Sequence, residues 1–414
     1  MNRINILFLL LFAFVFQGQT QAQYFSSEAE ISLVTCSPGS ELYSIFGHSA
    51  IRVEDTATNT DLIFNYGVFD FNTPNFYWKF VKGKLQYRLA IQRTSDFIRA
   101  YQAEGRSVKV EKMRLTEREQ NRLLQFLRIN YLPENRYYLY DFFYNNCSTK
   151  IWDVTEEQVA DSLTFDTSVY EALSFRNLLY LYLETVPWSK LGIDLLLGMP
   201  ADKTASFEEQ MYLPDYLSRN MSHTIRSEGK LKNTRLLGPE QIILERDPSK
   251  SNFNAPVVGP MMVFMGLLLI MLLITLWGRP GLKRGVDTGL LLITGLLGVV
   301  LLFMWFASDH QQMDGNLNLL WANPLGLVFV YYAIRNQMRN AGITYSILGV
   351  FVLVNLLAWN WLPQQFNLAL LPLLAGMLIR GVDNFLSVYY PGKEIRHWLG
   401  LSRRPDLPYM TSGL

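Results

Sequence analysis

Five apolar segments follow one another in the C-terminal part of the chain, and they restrict its fold more than any other feature. They are Val257–Trp277, Thr288–Ala307, Leu317–Ile334, Ile343–Leu362 and Phe366–Ile379. An apolar run of about 20 residues matches the hydrocarbon thickness of a bilayer. The fifth is shorter and contains Pro372. We therefore expect an all-α, five-helix transmembrane domain over 257–380 and a tail over 381–414. Arg279, Lys283 and Arg284 follow the first segment, Arg335 and Arg339 the third, and Arg380, Lys393, Arg396, Arg403 and Arg404 the fifth. The loops after the second and fourth segments contain neither Lys nor Arg. The bias of basic residues toward the cytoplasm then puts the C-terminus inside and residues 23–256 outside.

The N-terminus agrees with that orientation. Arg3, the apolar stretch Ile4–Phe16 and the small-residue site Thr20-Gln21-Ala22 have the form of an export signal over 1–22. An uncleaved anchor is the alternative, and it exports the next domain equally well. Net charge is +1, so nucleic acid is not an implied partner.

Residues 23–256 read as an α+β domain. Strand patterns at Glu28–Thr35, Phe46–Val53, Leu62–Tyr66, Lys84–Gln92 and Ser107–Arg114 predict an antiparallel sheet. Thr116-Glu117-Arg118-Glu119 is a capping box for a helix that Pro133 ends. Tyr77–Gly83 is aromatic and basic. Leu191–Pro200 is apolar enough to lie on a membrane surface or to join a core, and Ser227–Asn254 reads as a sheet edge or a linker.

Two stretches carry the chemistry. In Tyr144-Asn145-Asn146-Cys147-Ser148-Thr149-Lys150 an asparagine caps a helix whose first turn contains Cys147. Unpaired N–H groups and the helix dipole favour a thiolate there and can hold an oxyanion. In Phe46-Gly47-His48-Ser49-Ala50-Ile51-Arg52-Val53 a glycine turn leads into a strand, with His48, Ala50 and Arg52 on one face and Ile51 and Val53 on the other. Cysteine and histidine so placed form a thiol–imidazole pair for acyl transfer, whatever their order in the chain. Asn65 is the candidate to orient the imidazole, with Tyr66 and Tyr43 as alternatives. Asn145, Asn146 and Arg52 are candidate supports, although the asparagines also serve simply as caps. The outer loop Ser308–Asn318 adds His310 and Asn318 as candidates for contact with a lipid substrate.

The cysteines are two, Cys36 and Cys147, and a disulfide between them would be the non-catalytic alternative, that of an envelope assembly protein. The other histidines, His223, His310 and His397, lack metal-ligand spacing, so neither a metal nor a cofactor is implied. A soluble thiol hydrolase has no need of five spans; tethering suits a lipid acyl donor. A membrane-anchored cysteine peptidase or amidase acting on cell-wall peptides is the other enzyme reading.

Thr35-Cys36-Ser37-Pro38-Gly39, Phe46–Arg52, Phe64-Asn65-Tyr66-Gly67 and Asn145-Asn146-Cys147-Ser148, followed by a multi-span tail, resemble the Bacteroides-type lipoprotein N-acyltransferase family, Lnb. The likeness covers most of the mature chain. It implies a permuted papain-like fold, similar to NlpC/P60 and lecithin:retinol acyltransferase-like enzymes, with Cys147 and His48 as the catalytic pair. It also implies a phospholipid acyl donor, a diacylglyceryl-cysteine lipoprotein as acceptor, and the bacterial inner membrane as location.

Overall fold

The computed structural model describes residues 25–159, 163–250, 257–390 and 394–401, so the expected export signal and the end of the tail lie outside the described residues. Among the described residues the N-terminal domain holds nine strands: β1 (Glu30–Cys36), β2 (His48–Asp55), β3 (Thr60–Val68), β4 (Gln86–Arg93), β5 (Val108–Met113), β6 (Tyr137–Leu139), β7 (Leu163–Phe165), β8 (Thr224–Arg226) and β9 (Leu237–Leu244). Seven of them form an antiparallel sheet in the order β6-β4-β3-β2-β1-β5-β9, and β7 pairs with β8 separately. The charged stretch Ser227–Asn254 thus supplies an edge strand.

Strand alternation divides the core. Ile31, Leu33, Ile51, Val53, Phe64 and Tyr66 face one side, and Val34, Cys36, Ala50 and Ile63 the other. On the first side lie α3 (Glu117–Tyr131), through Leu123, Leu124 and Leu127, and α4 (Cys147–Gln158), through Ile151, Trp152 and Val154. On the second lies α2 (Thr94–Ala103), through Phe97. A sheet covered on both faces explains why β1 is buried nearly end to end. The Thr116–Glu119 capping box forms as expected, and Glu119 also makes a buried ion pair with Arg226. Three further helices complete the domain's helical layer, α5 (Phe175–Leu183), α6 (Pro187–Leu196) and α7 (Pro214–Ser222). Tyr77–Gly83 falls on a short helix, α1 (Phe76–Val81), with no buried residue.

The membrane region holds α8 (Pro260–Trp277), α9 (Pro280–Ala307), α10 (Leu325–Ile334), α11 (Met338–Leu357) and α12 (Leu370–Tyr389), with a short α13 (Ile395–Trp398) beyond. Among the described residues α8, α9, α11 and α12 are long and apolar enough to span a bilayer. The third expected span is instead a broken pair, Gln311–Leu320 and Leu325–Ile334, bent by 45°. Asn323-Pro324 sits at the break, where proline cannot continue the hydrogen-bond ladder. Gly298 lies so close to Ala322 O that an added Cβ would collide with it, and this lets α9 and the break approach backbone to backbone.

Two expectations are corrected here. The fifth span does not end at 379; α12 continues to Tyr389. Arg380 is therefore not a loop charge. It is buried inside the bundle, where Asp287 accepts from its Nε at 2.8 Å and its Nη2 at 2.7 Å, and Asp383 from its Nη1 at 2.8 Å. A charge at that depth is tolerated because it is paired.

Leu191–Pro200 joins the two domains rather than lying on a lipid surface. Leu191 is buried among residues of the membrane bundle. Asp194 holds Arg176 at 2.9 Å and accepts from Asn367 Nδ2 at 2.8 Å. Asn318 and Asn316 donate to Asp194 O at 3.1 Å and Leu195 O at 2.7 Å.

Candidate active site

Cys147 opens α4 at its first helical position, and the local sequence dictates this. Asn146 is the N-cap: its Oδ1 accepts from Ser148 N at 2.8 Å and Thr149 N at 3.0 Å, while Thr149 Oγ1 accepts from Asn146 N at 2.8 Å. The cap is anchored further by Asn146 Nδ2, which donates to Phe142 O and Tyr212 O, both at 2.8 Å. Every polar atom of the Asn146 side chain is committed to this framework, so it does not serve as an oxyanion donor. Asn145 Nδ2 donates to Leu139 O at 2.7 Å.

His48 opens β2, and Gly47, at φ +83, makes the turn into it. The helix start is fastened to the strand start by the residues that follow each member of the pair: Ser148 Oγ donates to Ser49 Oγ at 3.1 Å, and both are buried. Gly67, at φ +86, lies where the β3–β4 register shifts, and a Cβ there would touch Cys147 Cβ at 3.4 Å. This backbone can pass the thiol because it carries no side chain.

The structure brings His48, Asn65 and Cys147 together. Nε2 of His48 lies 2.6 Å from Asn65 Oδ1, so Nε2 carries the proton and donates, which leaves Nδ1 for the thiol. Cys147 and His48 are both partly open to solvent. Burial opposes ionisation of Cys147, but the charge of His48, its hydrogen bond, the Ser49 N–H and the Ser148 hydroxyl outweigh it and bring the thiol from 9.0 down to about 7. Burial likewise opposes the imidazolium, and Cys147 together with the Asn65 bond raises His48 above 6.5 nonetheless. The two shifts describe one coupled thiolate–imidazolium pair.

Tyr138, on β6, packs on the same core as Cys147, and Tyr140 follows it beside the strand, stacked on Tyr87 at 4.2 Å. Burial first, then the charge of Cys147, push both hydroxyls well above 10.0, so they remain protonated donors. Sequence reasoning did not single out Ser49, Ser148, Tyr138 or Tyr140. The available signal was their position: the serines directly follow the pair, and the tyrosines lie in the aromatic run leading to Cys147.

Other candidates lie elsewhere. Tyr66 is buried with its hydroxyl donating to Asn130 Oδ1 at 2.6 Å, and Tyr43 is exposed on a loop. Arg52 points to Asp61, at 2.8 Å from both Nε and Nη2, and to Glu54 at 3.0 Å, further along β2. Asn318 is buried in the interdomain joint, where its Oδ1 also accepts from Trp321 Nε1 at 3.0 Å. His310 Nε2 donates to Phe80 O at 2.8 Å and so ties the outer loop to α1.

Cys36 and Cys147 are both free thiols. Cys36 is fully buried opposite His48 in the β1–β2 register, and burial pushes its thiol up to about 12. A thiol in that state is inert at neutral pH.

A family model described as the Lnb N-terminal periplasmic domain matches residues 16–179, a span that includes His48, Asn65 and Cys147. A second, described as the Lnb transmembrane domain, matches residues 250–390. No curated protein and no solved structure matches the chain.

Proposed function

The chain belongs to the Lnb family and is a membrane protein with a periplasmic N-terminal domain, and from that premise we propose that it is a lipoprotein N-acyltransferase working through a thioester on Cys147. The observation that carries this reading is the thiol–imidazole–amide chain of Cys147, His48 and Asn65 at a helix N-terminus, in a domain locked to membrane spans through Asp194. A thiol at 9.0 is about 1% thiolate at pH 7, and one at about 7 is about half thiolate.

In the first half-reaction Nδ1 of His48 takes the thiol proton and Sγ attacks the carbonyl of a phospholipid acyl ester. The Cys147 N–H, unpaired at the helix start, is the donor for the developing oxyanion. The tetrahedral intermediate collapses with loss of the glycerol oxygen, which takes the proton from His48 and departs as lysophospholipid. In the second, the neutral α-amine of a diacylglyceryl-cysteine lipoprotein attacks the thioester. His48 accepts the amine proton, the amide forms and the thiol is regenerated. Asn65 keeps the ring oriented through both steps. No metal or cofactor enters this chemistry. The permuted papain-like arrangement, with histidine ahead of cysteine, belongs to the same reading.

The basic residues at and just before the starts of α9 and α11, Arg279, Lys283, Arg284, Arg335 and Arg339, support a C-terminus in the cytoplasm, and with it an inner-membrane location. The spans hold both lipidated substrates at one depth, which contributes through proximity. The test is mass spectrometry of a lipoprotein N-terminus from cells with and without the protein, and with Cys147→Ala at equal protein level. Loss of the N-linked acyl chain in the last two is expected. An undiminished N-acyl chain in the Cys147→Ala strain refutes the assignment, and release of cell-wall peptides instead points to the peptidase.

A further inference from the structure

Helix α1 presents Tyr77, Trp78 and Phe80 to the outside, 77%, 56% and 48% exposed. For a water-facing surface that is an unusual concentration of aromatic area. Its place in the fold accounts for it. The Trp78 ring lies 5.6 Å from Phe303, one turn from the outer end of α9, where Trp305 and Phe306 stack on each other. Tryptophan, tyrosine and lysine gather at the boundary between acyl chains and head groups. The depth of α1 is set by the outer loop: Asp309 N donates to Lys82 O at 3.1 Å, His310 holds Phe80 O, and Lys84 pairs with Asp309.

Behind α1 an open cleft of about 440 Å³ is lined by Thr73, Lys79, Lys84, Gln86, Tyr137 and Leu139. The Lys79 ammonium, the Gln86 amide and the Thr73 and Tyr137 hydroxyls complement a phosphodiester, and Lys84, paired with Asp309, stands at the cleft's edge. One wall of the cleft is β6. Tyr137 and Leu139 line the cleft, and the alternate residue Tyr138 faces the other way, onto the core that Cys147 also packs against, with Lys150 of α4 over its ring at 5.3 Å. β6 is the edge strand of the sheet, so the cleft and the Cys147 side meet round its free edge.

We propose that this cleft holds the phosphodiester of a phospholipid from the periplasmic leaflet, bound by Lys79 with Lys84 shared with Asp309, while Tyr77, Trp78 and Phe80 sit in the bilayer interface and the donor's glycerol ester reaches Cys147 round the free edge of β6. The role as donor subsite rests on the acyltransferase reading; the binding of the lipid does not.

The test uses full-length Cys147→Ala protein in nanodiscs of phosphatidylethanolamine and phosphatidylglycerol that contain a trace of phospholipid with a photoactivatable head group. Cross-links are expected in 73–86 and 137–139. Lys79→Glu should reduce them about tenfold or more with an unchanged melting curve, and the milder Lys79→Gln should reduce them less. Labelling that maps elsewhere, that survives charge reversal, or that millimolar inorganic phosphate abolishes overturns the proposal. A parallel arm keeps Cys147 and follows thioester formation. Cross-linking in the cleft without any thioester refutes the enzyme reading and leaves the lipid site standing. Thioester formation at an undiminished rate in Lys79→Glu refutes the donor subsite and leaves the enzyme standing.

Discussion

Replacing Asn65 with Ala tests the geometry of the site most directly. Its Oδ1 accepts from His48 Nε2 at 2.6 Å, and that bond is one of the interactions raising the imidazole's pKa. A hydrogen bond to a charged group contributes about 1.5–3 kcal/mol, roughly 10- to 150-fold in an equilibrium or a rate. The sign follows from the coupling. Without Asn65 the imidazolium is less stable, so His48 titrates lower; the thiolate then loses part of its counter-charge, and Cys147 titrates above its present value of about 7. The assay is the pH dependence of iodoacetamide alkylation at Cys147, which reads the thiolate directly, alongside thioester formation from phospholipid. In the native protein alkylation should rise with a midpoint near 7. In Asn65→Ala the midpoint should move to higher pH, thioester formation at pH 7 should fall by about one to two orders of magnitude, and the lipid KM should change little. Asn65→Asp keeps an acceptor on Nε2 and should retain the low midpoint. An Asn65→Ala profile that superimposes on the native one refutes the orienting role.

Other outcomes follow from the same structure. Under native conditions a thiol reagent at pH 7.5 should modify Cys147 alone, with Cys36 reacting only after unfolding, because Cys36 is buried and sits at about 12; absence of any reactive thiol before reduction would restore the disulfide alternative. Glu119→Gln removes the buried carboxylate that accepts from both Nη atoms of Arg226 and should destabilise the periplasmic domain by about 1.5–3 kcal/mol, read as a lowered melting point. Glu119 titrates below 4.5 in the folded state, so the stability it contributes is complete above the unfolded value and disappears as pH falls through the lowered folded one. A flat stability profile between pH 5 and 3 in native protein would contradict that pairing.

How much was legible in the sequence depended on the range of each interaction. Apolar runs mark the spans because a bilayer responds to local composition summed over a segment. The His48 strand and the Cys147 helix start could be read for a similar reason: Gly47 makes a turn and Asn146 a cap from neighbouring residues alone. The third span was harder, since its length and apolarity conceal the break at Asn323-Pro324. Arg380 misled because an arginine after an apolar run resembles a loop charge until its partner, Asp287 on another helix, is in view.

Hydropathy and chain-local signals thus determined which parts cross the membrane, which part is exported, and which two side chains open a strand and a helix. Tertiary structure alone decided that Asn65, and not Tyr66 or Tyr43, meets the imidazole, that Arg52 and Asn318 are spent on Asp61 and on the domain joint, and that α1 rests on the end of α9. Each of those outcomes depends on strand register, on the bulge at Gly67 or on one helix docking against another. These relations join residues far apart in the chain, and no short window of sequence encodes them.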